Sequence, residues 1–367
     1  MSRPLTSIAL VLGAALTLLG CNTAPTRAPL RDYLLTGAKP DHLFVIDAAS
    51  RSVVSDFRIP DANGWLGSIA TAADGKVAYV LVNRMESIAG IDLATGKQVF
   101  RADLSQGNER VKSFFGINVT PDGKQLIVYE LPTLLELNEY KVQEPRFAIF
   151  DTAAGLEAKP LRQFPAPRRV HLILPKADGK SFFAVGFQLG EYDIASGKLL
   201  QERGVRDWNR PDYSIPDVLA FWPVSEPTGV FSTPTYSTRG ASEGKPGVQR
   251  TSLMSLDLAS GALNYQDFED TVALIFSTVI SPVKGQAFGV YTQLTKIDTD
   301  KGVLANRVDL AHTFYTVTVA SDGKEVFLGG TMCDIAFYDP YTLQQRANMK
   351  LPGCPDQSIS TLRVIRR

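Results

Sequence analysis

Short apolar runs alternate with polar turns along almost the whole chain, the pattern of successive antiparallel strands. Seven runs end alike, in an apolar or aromatic residue, an Asp and a small polar turn: Ile46-Asp47, Ile91-Asp92, Phe150-Asp151, Tyr192-Asp193, Leu256-Asp257, Ile297-Asp298 and Tyr338-Asp339. The Asp recurs every ~41–64 residues, the range of stacked supersecondary repeats. Within each unit a first strand ends in a tight turn, such as Asp74-Gly75-Lys76, Asp122-Gly123-Lys124, Asp178-Gly179-Lys180 or Asp322-Gly323-Lys324. Asp-Gly between apolar runs predicts a hairpin, because Gly accepts the positive φ of such turns. A second strand follows and a third carries the repeated Asp. Its side chain is expected to accept hydrogen bonds from its own turn. A turn such as Ala94-Thr95-Gly96 or Ala195-Ser196-Gly197 leads into a fourth strand.

Four antiparallel strands repeated radially predict an all-β fold, a seven-bladed β-propeller. First strands are expected near Ser68, Phe115, Leu172, Val218, Phe276, Tyr315 and Ile359. The last, Ile359 to Ile365, lacks a second strand after it, while the stretch from Tyr33 to Arg58 supplies a second, third and fourth strand. Pairing the two ends completes the seventh blade and removes open sheet edges.

This topology sorts the loops onto two rims. One rim carries only tight turns. The other carries the second-to-third loops and the blade connections, and all the length variation. Two units are extended there, over Glu130 to Arg146 and Thr233 to Arg250. The first contains Leu131, Leu134, Leu135, Leu137 and Tyr140, an apolar set that either meets a partner or folds back on the propeller. The second, rich in Gly, Ser and Lys, reads as flexible. The connection from Val205 to Pro216 is also long and holds Trp208 and Tyr213.

The 367 residues would ordinarily imply two domains, but blades cannot bury their faces singly, so one body is expected over residues 31–367. Charge is balanced at 38 basic and 38 acidic residues, which gives no footprint for nucleic acid or an acidic membrane surface. Residues 1–20 read as a signal peptide, with Arg3 the one charge and an apolar run, Ile8 to Leu19, too short for a transmembrane span. Leu18-Leu19-Gly20-Cys21 resembles a lipobox, which would lipidate Cys21 and tether the protein through residues 21–30. The alternative is ordinary cleavage near Ala24. Cys333 and Cys354 then form an even pair flanking an expected hairpin, read as a disulfide, with two buried thiols as the alternative.

Most catalytic signals are missing from the sequence. It contains no Cys-x-x-Cys-His, so no c-type haem is attached to this chain, and no Gly-rich phosphate loop or His-Glu-x-x-His. His42, His171 and His312 offer no evident metal set and read as structural. Gly240-Ala241-Ser242-Glu243-Gly244 matches the nucleophile-elbow pattern but lies in a polar loop, so it reads as chance. Arg168-Arg169 could serve an anion or a partner's carboxylate, or be merely solvated. Phe114-Phe115, Phe276 and Phe314-Tyr315 stand where first strands begin, and are expected around the central channel.

Beyond these features the chain resembles the β subunit of quinohemoprotein amine dehydrogenase, from about Arg31 to about Val364. The resemblance is carried by Arg31-Asp32-Tyr33, Glu109-Arg110-Val111-Lys112-Ser113, Pro216-Asp217-Val218-Leu219-Ala220, Phe276-Ser277-Thr278, and Tyr315 through Gly330. The lipobox-like leader and the Cys333/Cys354 pair depart from the pattern. The resemblance implies a periplasmic heterotrimer. A dihaem cytochrome c α subunit would carry two haem c groups, and a small γ subunit cysteine tryptophylquinone. A primary amine would be oxidised to aldehyde and ammonia in a cavity that the β propeller helps to wall. This chain would hold no catalytic residue, cofactor or metal. Candidate partner contacts on the variable rim are Lys112, Ser113, Phe114, Glu130, Leu134, Leu135, Tyr140, Arg169, Asp217, Tyr236, His312 and Tyr315, chosen by position. The competing readings are a stand-alone YVTN or lactonase-like propeller that binds or hydrolyses a small molecule, and a scaffolding lipoprotein of the cell envelope.

Overall fold

The structure is a computed structural model, which describes residues 30–72, 74–206, 208–218, 228–357 and 360–367. The leader and Cys21 lie outside the described residues, as does Ile359, where the last strand was expected to start. The chain divides into Met1–Leu30 and Arg31–Arg367, and the second unit is a seven-bladed β-propeller with four antiparallel strands per blade. Blade 1 runs through Ile69–Thr71, Val77–Val82, Ser87–Asp92 and Gln98–Asp103. Blades 2 to 6 begin with the inner strands Ile117–Val119, Leu172–Pro175, Asp217–Val218, Ser277–Ile280 and Thr316–Val319. Among the described residues, no helix is long and apolar enough to cross a membrane.

Blade 7 joins the two ends of this unit. Its sheet order is Ser52–Arg58, His42–Asp47, Asp32–Ala38 and Leu362–Arg366, with Leu34 opposite Val364. The pairing continues beyond the strands, as Arg31 N donates to Arg367 O at 3.0 Å. Closure pairs Asp32–Ala38 on both edges, so the first strand keeps no free row of amides and carbonyls.

Each blade packs on both faces, so the three inner strands are mostly buried, as in the all-buried Ser181–Val185. The outer strands alternate instead, and Ser52–Arg58 shows alternating exposed and half-buried positions. Between blades 2 and 3 lie Tyr129, Phe147, Phe182 and Tyr192, with Phe147 and Phe182 edge-to-face at 5.0 Å. Near the axis small polar side chains stitch neighbours together: Asn118 Nδ2 donates to Ile173 O at 3.0 Å and Ser277 Oγ accepts from Val317 N at 3.1 Å.

The repeated Asp organises its turn. Asp92 Oδ1 accepts from Ala94 N at 3.0 Å and from both Thr95 N and Thr95 Oγ1 at 2.8 Å. The turn glycine that follows also lets blades approach. At Gly197 φ is +68°, and an added Cβ would sit 2.1 Å from the Phe164 ring of the preceding blade.

Both rim insertions are ordered hairpin extensions. In blade 2, Gln125–Leu135 continues past its blade, pairing on one edge with Tyr140–Val142 and on the other with Glu109–Lys112. In blade 4, Val230–Arg239 and Val248–Asp257 pair without a break from Val230↔Asp257 to Arg239↔Val248. The flexible segment expected over Thr233 to Arg250 is therefore largely ladder, with a tip at residues 240–247. Thr and Val on both arms, with Tyr236 on the first, favour strand, and cross-strand bonds outweigh the loop-like composition. The Gly-x-Ser-x-Gly match lies at this exposed tip, with no helix after it.

Candidate functional site

The variable rim of blades 2 and 3 holds a groove of about 460 Å³ lined by Phe114, Tyr129, Leu131, Pro145, Arg168, Arg169, Val170 and His171. Four separate segments build it: the connection into blade 2, the extended strand of that blade, the end of its hairpin, and the connection into blade 3. Tyr129 forms the floor, its hydroxyl donating to Pro167 O at 2.9 Å, and burial raises its pKa. His171 is half-buried, and burial pushes its imidazole pKa below the usual value. Arg168 Nη2 donates to Glu144 at 2.8 Å. Arg169 adopts φ 67° and lays its guanidinium 4.3 Å from the ring centre of Phe187. Arg206 lies over the same ring at 5.0 Å.

Beside the groove the blade 2 extension shows two unlike faces, because strand residues alternate. Leu131, Leu135, Tyr140 and Val142 are exposed on one face, 37%, 37%, 78% and 68% respectively, with Leu137 at the tip fully exposed. The opposite face buries Val111 and Pro132 and half-buries Leu134. Adjacent leucines thus play different parts, and only Leu135 belongs to the exposed apolar face.

Glu130 does not reach the rim surface. It is 2% exposed and accepts from Arg146 Nε at 2.6 Å, while Arg146 grips Glu109 through both Nη atoms at 3.0 and 2.8 Å. Burial pushes the Glu130 pKa up in spite of Arg146, whereas the Arg146 hydrogen bonds hold Glu109 below the usual carboxylate value. A polar cleft of about 310 Å³ lies against this triad, with Asp103, Lys159 and Gln163 in its wall.

Other expected contacts are wholly or partly enclosed. Ser113 is fully buried, its N donating to Met85 O at 2.9 Å and its Oγ to Gly116 O at 3.3 Å. Tyr236 links blade 4 to the approach to blade 5: its hydroxyl donates to Ile275 O at 3.1 Å and accepts from Ile275 N at 2.9 Å, and burial pushes its pKa up to about 12. His312 is fastened between Thr313 O at 2.8 Å and Asp334 Oδ2 at 3.0 Å. These short-range latches look like rim residues in the sequence because rim position alone does not reveal side-chain direction.

Lys112, Phe114, Arg169 and Asp217 do lie at the surface, with Lys112 paired to Glu86 at 3.4 Å and Asp217 facing Arg206 at 3.9 Å. Tyr315 is half-buried and packs with Met85 and Phe115. Tyr315 leads blade 6, whereas Met85 lies in blade 1 and Phe115 leads blade 2, so this cluster gathers side chains from blades that are not neighbours of blade 6. Phe276 extends this cluster, stacked on Tyr291 at 4.0 Å and 5.0 Å from Tyr315. Cys333 and Cys354 are disulfide-bonded, with Cα atoms 4.8 Å apart. Among the described residues no group of three or more His, Cys, Asp or Glu is placed to hold a metal ion.

Phe187 and Arg206 were not singled out in the sequence. The usable signal for Phe187 was an aromatic residue at the tip of a second-to-third turn. For Arg206 no local signal exists.

No family model and no curated protein sequence matches the chain. Solved structures do. Hydrazine synthase from Kuenenia stuttgartiensis is 14% identical with a TM-score of 0.52, over 85% of this chain and 90% of that one. Dihydro-heme d1 dehydrogenase NirN, solved in complex with DHE, is 12% identical with a TM-score of 0.54, over 90% of this chain and 75% of that one. At these identities the likeness establishes the propeller fold.

Proposed function

We propose that this chain is the non-catalytic β subunit of a periplasmic quinohemoprotein amine dehydrogenase. In this reading its variable rim docks the small quinone-bearing γ subunit, beside a dihaem cytochrome c α subunit. The carrying observation is the asymmetry of the two rims. One is closed by tight polar turns, while the other presents the exposed Leu131, Leu135, Leu137, Tyr140 and Val142 face beside a groove. A contiguous apolar face flanked by charge is the composition of an interface core and rim. The sequence resemblance supports the same reading. The Cys333–Cys354 bridge suits an oxidising compartment, and lipidation at Cys21 would add a membrane tether.

Within such a complex the quinone of the γ subunit supplies the amine-oxidising chemistry. This chain's part is to bind that subunit, exclude water from the shared cavity, and fix its wall. The rigid mouth formed by Phe115, Phe276, Tyr291 and Tyr315 suits such a wall.

Co-expression with a dihaem protein and a small Cys- and Trp-containing protein tests the proposal. A single complex that reduces its haems on adding a primary amine is expected, with no turnover by this chain alone. Leu135→Asp with Tyr140→Asp should shift the chain out of that complex, because each buries a charge in a dry contact. Amine turnover by the isolated chain, or a complex unchanged by the double variant, would overturn the reading.

A further inference from the structure

On the basis of this docking reading, we infer that Arg169, Phe187 and Arg206 form a carboxylate clip. Its occupant is a segment of the docked protein in which an Asp or Glu stands beside an apolar or aromatic side chain.

The geometry is specific. Both guanidinium groups lie over one ring, at 4.3 and 5.0 Å from its centre, so the charges stand no more than about 10 Å apart, within about one Debye length. Phe187 is itself 41% exposed, so the ring and the edges of both arginines are open to a partner. Among the described residues Arg169 has no carboxylate within ion-pair distance, and Arg206 has only the well-exposed Asp217 at 3.9 Å. Two like charges held over one ring favour an incoming anion, and stacking on a ring leaves guanidinium N–H groups free to donate in-plane. Arg169 is held in place by backbone: its φ is 67°, and its carbonyl lies so close to Gly186 that an added Cβ there would be 2.5 Å away. This contact sets the clip on the turn that bears Phe187.

The neighbouring groove supplies the second half of the specificity. Phe114, Leu131, Pro145 and Val170 give it an apolar wall directly beside Arg169. An acidic residue in the clip would therefore be followed by an apolar side chain in the groove. Charge on one side and apolar surface on the other fix the direction of the bound segment.

The test uses the full mature chain and two labelled peptides, acetyl-Gly-Phe-Asp-Phe-Gly-amide and the same peptide with Asn in place of Asp, titrated by fluorescence anisotropy. The Asp peptide should bind about tenfold more tightly than the Asn peptide, an advantage that high salt removes. Arg169→Gln and Arg206→Gln should each abolish that preference while keeping the unfolding temperature of the parent. Arg169→Lys should restore it only in part, since an ammonium does not stack. Equal binding of the two peptides, no binding of either, or a preference that survives both Gln variants would overturn the clip. The outcome is separable from the docking reading. If the Leu135→Asp/Tyr140→Asp variant still blocks assembly while the peptides show no preference, the clip falls and the docking surface stands. If assembly ignores that variant, the docking surface falls and the peptides alone decide the clip.

Discussion

Glu130 and Leu134 show how a side chain's role depends on what its backbone direction lets it touch. Both lie on Gln125–Leu135, yet Glu130 is enclosed with Arg146 and Leu134 covers the inner side of the extension. Arg146→Met should cost about 3 kcal/mol in chemical denaturation, because it leaves the Glu130 charge enclosed without its partner. Glu130→Gln probes the opposite sign. Burial raises the folded-state pKa of Glu130 above 4.5, so its contribution is fully present below that pH and lost as pH rises through the folded value. The stability difference between Glu130→Gln and the parent should therefore move in favour of the variant as pH rises from below the ordinary carboxylate range to neutrality. Glu109, whose pKa is lowered, shares Arg146 with Glu130, so the comparison reports the coupled pair. A pH-independent difference would show that Glu130 carries no enclosed charge.

At the scale of elements, the repeat works because each turn serves two blades. The Asp side chain closes its own turn, and the glycine after it allows the preceding blade's outer strand to lie close. Gly197→Ala tests this coupling. The new methyl meets the Phe164 ring at a position whose φ of +68° already disfavours a side chain, so a loss of roughly 1–3 kcal/mol is expected by denaturation. The same change at Gly155, where nothing lies within 4 Å, keeps the φ penalty at +77° without the clash and should cost less. Equal losses at both positions would remove the inter-blade contact from the account. The two rim extensions belong to this scale too. Each continues a blade hairpin as a paired ladder, which satisfies its backbone at the surface and gives the exposed apolar face a fixed shape.

For the whole molecule, closure matters most. Leu362–Arg366 is the inner strand of a blade whose other strands come from the opposite end of the propeller unit. Ending the chain at Gln357 should leave Asp32–Ala38 with an open edge and the wedge around Ile365 and Leu362 unfilled. Aggregation, or a fall in unfolding temperature of more than 10 °C on an order-of-magnitude basis, is expected by scanning calorimetry and light scattering. A monomer of unchanged stability would contradict the closure.

The repeat, the blade count and the joining of the two ends were legible in the chain itself. They rest on local chemistry: strand-length apolar runs, Asp-Gly turns, and an Asp that bonds its own loop, each set by neighbours in sequence. Leu135 and Tyr140 could be placed on the variable rim by the same logic, since topology assigns every loop to one side. Whether a rim residue faced water, a neighbouring blade or its own turn was decided only by tertiary structure. Ser113, Glu130, Tyr236 and His312 turned inward to satisfy buried polar groups. Phe187 met Arg169 and Arg206 only when two connections and a turn converged on one rim. Strand alternation and turn type act over a few residues, whereas burial and charge pairing depend on surfaces that come together after the ring has closed.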